Sequence, residues 1–467
     1  MRKWSFMFLV IGCSQPSDLC EALSSPDVGV TAGLGSNVLV VVLDDVGLDK
    51  LGAYDAHPSP ALTPNLDQIA CAGVSFNNAY SNPVCSPTRA AIMTGRHGSR
   101  TGIGYWIATS TANYILPLEE TTIAERLTAD SDYTPVALGK WHLTGYGHSN
   151  SDPALHPNEQ GFTHYAGSLG NPRESSDGWD GDLGYQTWEK TTNGVNSINT
   201  NYMTSDTTDD AIAQIQSLPE PWFTYVAFNG AHEPIHAPPS GLHTGKVTER
   251  SSDLDKYNAM VEATDTELGR LLRSIPEDVL ARTTLVVLSD NGTYEEGIEA
   301  PWDPLKGKNT LYEGGVNIPM IVTGPHVAQP GRASDALVHV VDVFATVLEI
   351  AGINPSATKQ DIDGVSFLPV LEDPSIDSVR SLVYAEEFYP NGAPPHNYHE
   401  RMLTDGEWKL IRREEGDQIT EELYRLDDWL DGSDFIEAIG SDPEAARAHS
   451  TLSAALDAQV VELSFEY

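Results

Sequence analysis

The sequence predicts an α/β protein in which helices sandwich a large, mostly parallel sheet, followed by a small C-terminal α+β subdomain that contains a short antiparallel sheet. Two observations predict the main layer: valine-rich apolar runs recur along the first 375 of the 467 residues, and segments with a helical pattern separate them. The third is the change beyond residue 375, where short strands and hairpin signals replace this alternation. Because one hydrophobic core stops growing at about 250–300 residues, we expect one large domain and a smaller appendage.

The first strand and the first helix of the main domain are the clearest elements. NVLVVVLDD, residues 37–45, is almost continuously apolar, as is typical of a parallel strand buried on both faces. TPNLDQIACAG then predicts a helix with Thr63 as N-cap, Pro64 at the first helical position and Gly73 just past the end. A buried strand followed by a capped helix is the repeating unit of an α/β fold.

The later elements of the main domain continue this alternation. Further strands are predicted within TPVALGKWHL, WFTYVAFNGAH (residues 222–232), TTLVVLSDNG (residues 283–292) and IPMIV (residues 318–322). Further helices are predicted at residues 121–129 and at residues 337–352, the second closed by Gly352. The alternation favours a parallel sheet covered on both faces.

Beyond residue 375 the pattern predicts antiparallel strands. They lie in SLVYAEEFY, ERMLTDGEWKLIRRE and EELYRLDDW, with Asp405-Gly406 as a hairpin turn. A helix over about residues 443–463 ends the chain. We therefore expect a main domain over residues 37–375 and a C-terminal subdomain over residues 376–467.

The N-terminus has the pattern of an export signal. The first three residues carry positive charge, and the apolar core WSFMFLVI runs into VIGC, a small-residue site that ends at Cys13. This predicts a signal peptide over residues 1–12 and a Ser/Pro/Gly-rich tether without fixed structure over residues 13–36. Three alternatives stay open: a pattern that resembles a bacterial lipoprotein signal with a lipidated Cys13, ordinary secretion, or a chance apolar N-terminus. We expect export to the periplasm or cell envelope, otherwise secretion.

The charge of the chain restricts its partners. With 67 acidic against 27 basic residues, the formal net charge is −40. Such a surface disfavours nucleic acid and anionic membranes, so we expect membrane association only through an N-terminal lipid. The surface is either simply solvated and acidic or adapted to a saline habitat, where salt screens the self-repulsion.

Two of the four cysteines are candidates for a bridge. The chain contains Cys13, Cys20, Cys71 and Cys85 and no C-x-x-C pair, so a zinc ribbon is not expected. If Cys13 is lipidated and Cys85 is functional, Cys20 and Cys71 are left to pair. Because Cys20 lies in the predicted tether, we do not expect a structural disulfide.

Polar residues gather where the predicted strands end, which is where open α/β sheets bind ligands. The strand ends supply Asp44 and Asp45, then Lys140 and His142, then His232, and finally Asp290 and Asn291. Each alone is most simply a turn residue. Together, four strand ends that supply carboxylates, lysine and imidazoles favour a binding site.

The residue types indicate which ligand this site takes. Hard oxygen ligands suit Ca²⁺ or Mg²⁺ better than zinc, and the oxygen set comprises Asp44, Asp45, Asp290 and Asn291. Lys140 and His142 could both reach an anion, and Lys308 in LKGKNTLYEGG adds a further cation. A divalent metal beside cationic donors, in an otherwise acidic protein, predicts a small anionic ligand.

HEPIH, residues 232–236, matches the H-E-x-x-H zinc protease motif. That motif needs both histidines on one face of a regular helix, and Pro234 would disrupt such a helix. We expect an irregular loop and no zinc protease.

Cys85 opens CSPTRAAIMTG, a segment predicted to form a helix that ends near Gly95. A thiol at a helix N-terminus lies where the dipole favours negative charge, although a lone C-x-P-x-R is most often an ordinary loop. The full string resembles the signature of the type I sulfatases. VLDDVG, GKWHL, AFNGAHEPIHAP, SDNG and KNTLYEGG resemble the other blocks of that family, in family order, and EWKLI and ELYRLDD resemble its C-terminal subdomain.

This resemblance implies the fold of the alkaline phosphatase superfamily, with a sulfatase catalytic domain over residues 37–375. It implies that a formylglycine-generating maturation enzyme oxidises Cys85 to Cα-formylglycine before folding. The hydrate of that aldehyde would attack sulfur, form a sulfated enzyme and release an alcohol and then inorganic sulfate. The substrate would be a sulfated small molecule or carbohydrate.

The resemblance also implies a role for each site residue. Ca²⁺, with Mg²⁺ the less expected ion, would be held by Asp44, Asp45, Asp290 and Asn291 and would contact the modified Cys85. Arg89 would stabilise the hydrate, with Lys140 and His142 nearby. The sulfate oxygens would be bound by Lys140, His232 and Lys308. His232 would also protonate the leaving alcohol, and His142 would deprotonate the second hydroxyl.

Two rival functions stay open. Relatives in the same superfamily that hydrolyse phosphonate or phosphate esters share the formylglycine motif. A catalytically silent carbohydrate-binding lipoprotein would keep an unmodified Cys85. Substrate specificity is expected from TSTANYILP and from residues 166–201, which match no family block and are expected to form loops above the strand ends.

Overall fold

The computed structural model describes residues 18–24, 36–110, 114–146, 152–174, 183–357, 360–426 and 442–462. Within these ranges, ten strands form one sheet and four form a second. The strands of the large sheet are β1 (Asn37–Leu43), β2 (Gly73–Tyr80), β3 (Thr134–Gly139), β4 (His164–Gly167), β5 (Trp188–Thr192), β6 (Val195–Asn199), β7 (Trp222–Ala227), β8 (Thr283–Ser289), β9 (Met320–Thr323) and β10 (Arg332–His339). Their spatial order is β10-β2-β9-β8-β1-β7-β3-β4-β5-β6.

Helices cover the large sheet, as the alternation predicted, and the last helix packs on the smaller sheet instead. They are α1 (Asp18–Ser24), α2 (Pro64–Cys71), α3 (Cys85–Thr94), α4 (Gly98–Thr101), α5 (Ile123–Asp130), α6 (His156–Glu159), α7 (Met203–Ile215), α8 (Asp253–Ser274), α9 (Glu277–Leu280), α10 (Glu313–Val316), α11 (Asp342–Ile350), α12 (Leu368–Glu372) and α13 (Pro443–Glu462). Short 3₁₀ helices lie at Leu48–Lys50, Gly52–Tyr54, Glu295–Gly297 and Pro304–Lys306.

Strand β1 organises the core of the main domain. It pairs in parallel with β7 on one side and β8 on the other, and all seven of its residues are buried. Because side chains alternate along a strand, Val38, Val40 and Val42 enter one hydrophobic cluster. Leu39, Val41 and Leu43 enter a second cluster on the opposite face. The continuous apolar run thus supplies both cores at once.

The predicted α/β class is confirmed, but the sheet is more mixed than the apolar runs indicated. Strand β9 is antiparallel to both β2 and β8, and the antiparallel hairpin β5–β6 extends one edge through β4. This hairpin lies in the stretch of residues 166–201 that was expected to be loop.

The helix predicted over residues 337–352 is wrong at its start. Residues 337–339 end strand β10, and helix α11 begins at Asp342. The Asp342 carboxylate accepts a hydrogen bond from the backbone N–H of His339 at 2.9 Å, which turns the chain between strand and helix. A continuous apolar run hides this change of period, because both elements are buried.

The C-terminal subdomain has the predicted architecture. Strands β11 (Val383–Tyr389), β12 (Tyr398–Thr404), β13 (Trp408–Glu415) and β14 (Gln418–Arg425) form an antiparallel sheet. The turn between β12 and β13 contains Asp405 and Gly406, as expected, with Gly406 at a φ of 88°. A buried ion pair joins this sheet to the main domain, with Lys409 Nζ 2.6 Å from Glu313 Oε1.

The expected tether is partly wrong, because residues 18–24 form helix α1. Its Leu19 and Leu23 are buried in the hydrophobic cluster that also contains Leu39, Val41 and Leu43 of β1. Cys20 on this helix lies beside Cys71, with the two Sγ atoms 2.6 Å apart. The signal peptide and Cys13 lie outside the described residues. In the described part of the chain, we find no helix with both the length and the apolar character needed to cross a bilayer.

Candidate active site

The predicted polar residues meet at one edge of the large sheet because four neighbouring parallel strands end there. Asp44 and Asp45 follow β1, Lys140 follows β3, His232 lies five residues beyond β7, and Asp290 and Asn291 follow β8. Backbone hydrogen bonds hold the ends together, from Asp290 N to Leu43 O at 3.0 Å and from Lys140 N to Ala227 O at 2.8 Å.

Helix α3 delivers Cys85 to this edge. The helix begins at Cys85 and ends where Gly95, at a φ of 69°, donates its N–H to the carbonyl of Ala91, as predicted. All ten residues of the helix are buried. Cys85 Sγ lies 3.6 Å from Lys140 Nζ. One helical turn further, Arg89 points into the same site.

The carboxylates that were predicted to hold a metal do come together. Ligand atoms of Asp44, Asp45, Cys85 and His232 all lie within 4.8 Å of one another. Asp45 has a φ of 64°, a left-handed conformation that costs about 1–3 kcal/mol in a non-glycine residue. That turn allows two consecutive carboxylates to face one site. Asp290 Oδ1 joins them by accepting the N–H of Asp45 at 3.2 Å.

Two buried oxygen atoms of this group have no hydrogen-bond partner among the described residues, namely Asp44 Oδ1 and Asn291 Oδ1. Both residues are fully buried. Burying a polar oxygen without a partner costs about 1–3 kcal/mol, so these atoms fit a hard cation that would coordinate them.

Repulsion within the acidic group supports the same conclusion. Burial, together with the nearby carboxylate of Asp290, raises the pKa of Asp44 to about 7, although Lys140 acts in the opposite direction. A divalent ion would offset this repulsion. Burial alone would also raise the pKa of Asp45, but attraction by Lys308 and His232 lowers it overall.

Three cationic side chains surround Cys85 and the acidic group. Lys140 Nζ lies 2.6 Å from Asp44 Oδ2, and Lys308 Nζ lies 2.6 Å from Asp45 Oδ1. Arg89 donates through Nε and NH2 to Asp290 Oδ2 at 3.0 and 2.7 Å and through NH1 to the carbonyl of Lys140 at 2.9 Å. Lys140 and Lys308 each have further N–H donors for an anion.

His142 is held as a neutral base. Its Nε2 lies 2.9 Å from the carbonyl oxygen of Ile107, so that nitrogen carries the proton. Its Nδ1 is buried and has no partner in the described part of the chain. Burial, with the charges of Lys140 and Arg89, holds the pKa of His142 well below its usual value.

His232 is buried but slightly more exposed than His142, at 6% against 0%. Its Nδ1 is 2.8 Å from the carbonyl of Glu233, and its Nε2 is 4.0 Å from Asp45 Oδ2. The segment around HEPIH is irregular loop, as expected, and His236 is bound away from the acidic group, with Nε2 3.1 Å from the Tyr202 hydroxyl. The zinc protease motif is therefore accidental.

Residue patterns in the sequence did not predict two contacts at the site. The Tyr185 hydroxyl donates to the carbonyl of His232 at 2.7 Å and thereby positions the His232 backbone. Ser86 Oγ accepts the N–H of Ile107 at 3.0 Å, next to Cys85. Tyr185 lies in residues 166–201, where no motif marked it, and a backbone contact such as that of Ile107 leaves no trace in residue type.

The fold and the site define a class: an α/β protein in which lysines and histidines surround a buried group that could hold a metal, an arrangement suited to a small anionic ligand. Comparison with known proteins gives the family. A family model described as sulfatase matches residues 36–353, and one described as N-sulphoglucosamine sulphohydrolase, C-terminal, matches residues 305–462. The chain belongs to the sulfatase family, of type I, and is a sulfuric ester hydrolase.

Its relatives include mammalian and bacterial proteins. N-acetylgalactosamine-6-sulfatase of Sus scrofa is 31% identical over 383 residues, covering 76% of this chain and 69% of the relative. An uncharacterized sulfatase of Escherichia coli is 28% identical, covering 72% of this chain and 66% of the relative. A crystal structure titled Ps i-CgsB in complex with k-i-k-neocarrahexaose superposes with a TM-score of 0.71 at 25% identity, covering 92% of each chain.

Proposed function

We propose that this sulfatase hydrolyses a sulfate ester on a sulfated sugar, through a formylglycine at position 85. The observation that carries the proposal is that Cys85 lies beside Lys140, His232 and two carboxylates, one of which is paired with Lys308. The named relatives support the substrate class, since one is an N-acetylgalactosamine-6-sulfatase and one structure is a complex with k-i-k-neocarrahexaose.

Formylglycine would supply, as its hydrate, an oxygen nucleophile for sulfur and a second hydroxyl for expelling sulfate afterwards. Cys85 is 2% exposed and the whole of helix α3 is buried. A maturation enzyme could therefore reach CSPTR before folding, in agreement with oxidation of the unfolded chain.

A Ca²⁺ ion, with Mg²⁺ as the less suitable alternative, would be held by oxygen atoms of Asp44, Asp45, Asp290 and Asn291, next to residue 85. It would offset the charge of the nucleophile and of the sulfate group. The Oδ1 atoms of Asp44 and Asn291, which accept no hydrogen bond from the described residues, support this assignment.

The cationic side chains would bind the sulfate. A sulfate ester spreads one negative charge over its non-bridging oxygens, which repels nucleophiles. Lys140 and Lys308 would neutralise that charge with the N–H donors that the carboxylates leave free. Arg89, locked against Asp290, would stabilise the hydrate without being displaced by substrate.

The two histidines would move the protons. His232 Nε2, which faces Asp45, would donate a proton to the leaving alcohol. His142 Nδ1 is a buried, unprotonated nitrogen and would take the proton of the second hydroxyl. Each histidine holds its other nitrogen against a backbone carbonyl, which fixes the orientation of the ring and leaves one nitrogen facing the site.

The boundaries and the destination of the chain belong to the same proposal. The catalytic domain would span residues 37–375 and the C-terminal subdomain residues 376–467. The export signal, lipidation at Cys13 and delivery to the periplasm or cell envelope rest on the sequence pattern alone.

The test is to produce the full chain together with a formylglycine-generating enzyme and measure hydrolysis of matched aryl sulfate, phosphate and phosphonate esters. We expect preference for the sulfate ester, an aldehyde in the peptide that contains residue 85, and loss of activity in Cys85→Ala. A preference for phosphonate or phosphate would favour the related hydrolase. An unmodified thiol without activity on any ester, after co-production, would favour the silent carbohydrate-binding protein.

The role of His232 has its own signature. His232→Ala should slow alkyl or sugar sulfates far more than nitrophenyl sulfate, because a good leaving group needs no proton. Equal loss for both leaving groups would remove His232 from the role of acid.

A further inference from the structure

Four aromatic side chains form a continuous row at the seam between the main domain and the C-terminal subdomain. Ring centroids of Tyr105 and Trp106 lie 6.0 Å apart, and those of Tyr105 and Tyr389 lie 5.6 Å apart. Tyr389 and Tyr398 are stacked at 4.9 Å with 7° between their planes. We call these four residues the aromatic ledge.

Two of the four side chains of the aromatic ledge are exposed to solvent. Of the large hydrophobic side chains that are exposed in the described part of the chain, the two aromatic ones are Trp106 at 39% and Tyr389 at 40%. Both belong to the ledge, one from each side of the seam. Clustered exposed aromatics of this kind mark an interaction site more often than isolated ones do.

The ledge is held rigidly by its backbone. Asn391 Oδ1 accepts the N–H groups of Gly104 and Tyr105 at 2.9 and 2.8 Å, and Asn391 Nδ2 donates to the carbonyl of Tyr105 at 3.1 Å. The Phe388 ring packs on Gly104 so closely that a Cβ there would lie 2.3 Å from the ring. A platform already fixed in place loses little entropy when a ligand binds.

The ledge adjoins the candidate active site along the chain. Ile107 follows Trp106 directly, its carbonyl accepts the Nε2 proton of His142 at 2.9 Å, and its N–H donates to Ser86 Oγ at 3.0 Å. The chain therefore passes from the wall of the sulfate pocket to the first exposed ring of the ledge within one residue.

We propose that the aromatic ledge is a sugar subsite that binds the pyranose ring adjoining the sulfated residue of an oligosaccharide. This rests on the proposed function. The apolar C–H face of a pyranose suits a flat aromatic ring, which has a large apolar body and a polar edge. On a protein with a net charge of −40, such a contact binds a polyanionic glycan without relying on charge attraction.

The experiment compares two substrates, a sulfated monosaccharide and a sulfated tetrasaccharide with the same terminal residue. In Trp106→Ala and Tyr389→Ala, the ratio of kcat/KM for the tetrasaccharide to kcat/KM for the monosaccharide should fall about tenfold, the equivalent of one lost aromatic contact. Trp106→Phe should keep most of the ratio. Ile419→Ala, which truncates an exposed side chain on β14, is the matched control and should not change it.

Three outcomes would contradict the proposal that the aromatic ledge binds a sugar ring. An unchanged ratio in an active enzyme overturns the ledge alone. Equal losses for both substrates indicate damage to the pocket and also overturn it. A wild-type protein that carries formylglycine and hydrolyses no sulfate ester overturns the proposed function and the ledge with it.

A second inference is independent of the first and concerns Cys20 and Cys71. Helix α1 packs on α2 with Leu19 and Leu23 buried, and the two Sγ atoms lie 2.6 Å apart and partly buried. An S–S bond of about 2.05 Å would need the two sulfur atoms to approach by only about 0.5 Å. This contradicts the expectation that Cys20 lies in an unstructured tether.

We infer that Cys20 and Cys71 form a disulfide that anchors helix α1 to the main domain. Each thiol loses its proton, one S–S bond forms, and the two electrons pass to the disulfide of a thiol–disulfide oxidoreductase, which becomes a dithiol. The bond would fasten the segment between the N-terminus and the first strand.

Peptide mass spectrometry of the unreduced protein tests this bond. We expect a cross-linked peptide pair that dithiothreitol separates, and a melting temperature lower by about 2–4 °C in Cys20→Ser and in the double variant with Cys71→Ser. If both thiols are alkylated by iodoacetamide in unreduced, unfolded protein from an oxidising compartment, the bond does not exist.

Discussion

Replacement of Asn291 by leucine tests whether the acidic group holds a divalent ion. Asn291 is fully buried, its Oδ1 has no partner among the described residues, and its Nδ2 donates to Asp45 Oδ1 at 2.8 Å. Leucine has nearly the same shape but offers no ligand. Asn291→Leu should therefore weaken Ca²⁺ binding while leaving the volume of the site filled.

The size of the effect follows from the contacts. Loss of an outer partner of a metal ligand costs about 10–100-fold in affinity, and loss of a ligand should cost at least as much, about 1.4–2.7 kcal/mol. In the metal-free protein, Asn291→Leu has two effects on the free energy of unfolding, and they oppose each other. Loss of the hydrogen bond to Asp45 costs about 1.5–3 kcal/mol, and removal of an unpaired buried oxygen returns about 1–3 kcal/mol. The metal-free variant should thus be nearly as stable as the wild type.

The assay is a titration of chelator-treated protein with free Ca²⁺, followed by melting temperature and by calorimetry. Wild type should gain about 2.7 kcal/mol at a free Ca²⁺ concentration 100 times the Kd, and Asn291→Leu should need 10–100 times more Ca²⁺ for the same gain. Asn65→Leu is the control, because Asn65 is also buried but its Oδ1 is already paired with Arg273 at 2.6 Å. Identical Ca²⁺ affinities for wild type and Asn291→Leu would refute the assignment.

Further predictions concern Arg89, His142, the ion pair between Lys409 and Glu313, and the net charge of the protein. Arg89→Lys keeps the charge but loses the paired contact with Asp290, and steady-state kinetics should show kcat/KM lower by about 100-fold, or about 3 kcal/mol. His142→Ala should lower kcat by about 10²–10⁴-fold and leave sulfate attached to the protein, visible as an added SO₃ mass; loss without that mass would contradict the role of base. Lys409→Met should lower the free energy of unfolding by about 3–5 kcal/mol, because Glu313 is left buried and unpaired, and adding Glu313→Gln should restore much of it. Because the net charge is −40, kcat/KM on a sulfated oligosaccharide should rise between low salt and seawater salt, and a fall would oppose a saline glycan habitat.

Residue type and position along the predicted strands were enough to predict most residues of the candidate active site. Asp44, Asp45, Lys140, His232, Asp290 and Asn291 follow buried parallel strands, and neighbouring strands of that kind end at one edge. The apolar run of β1 and the caps of α2 and α3 likewise predicted real elements. These signals are local, and the tertiary structure agrees with them.

The sequence by itself therefore determined the α/β class, the C-terminal antiparallel sheet, the helix that begins at Cys85 and the residue types of the candidate site. The tertiary structure alone decided which contacts those residues make. It pairs Arg89 with Asp290, leaves Nδ1 of His142 without a hydrogen bond from the described residues, and assembles the aromatic ledge from two parts of the chain. It also decided that Cys20 meets Cys71 and that β9 runs antiparallel. The physical reason is that periodicity and capping act over a few residues, whereas a contact across more than 200 residues depends on how the whole chain packs.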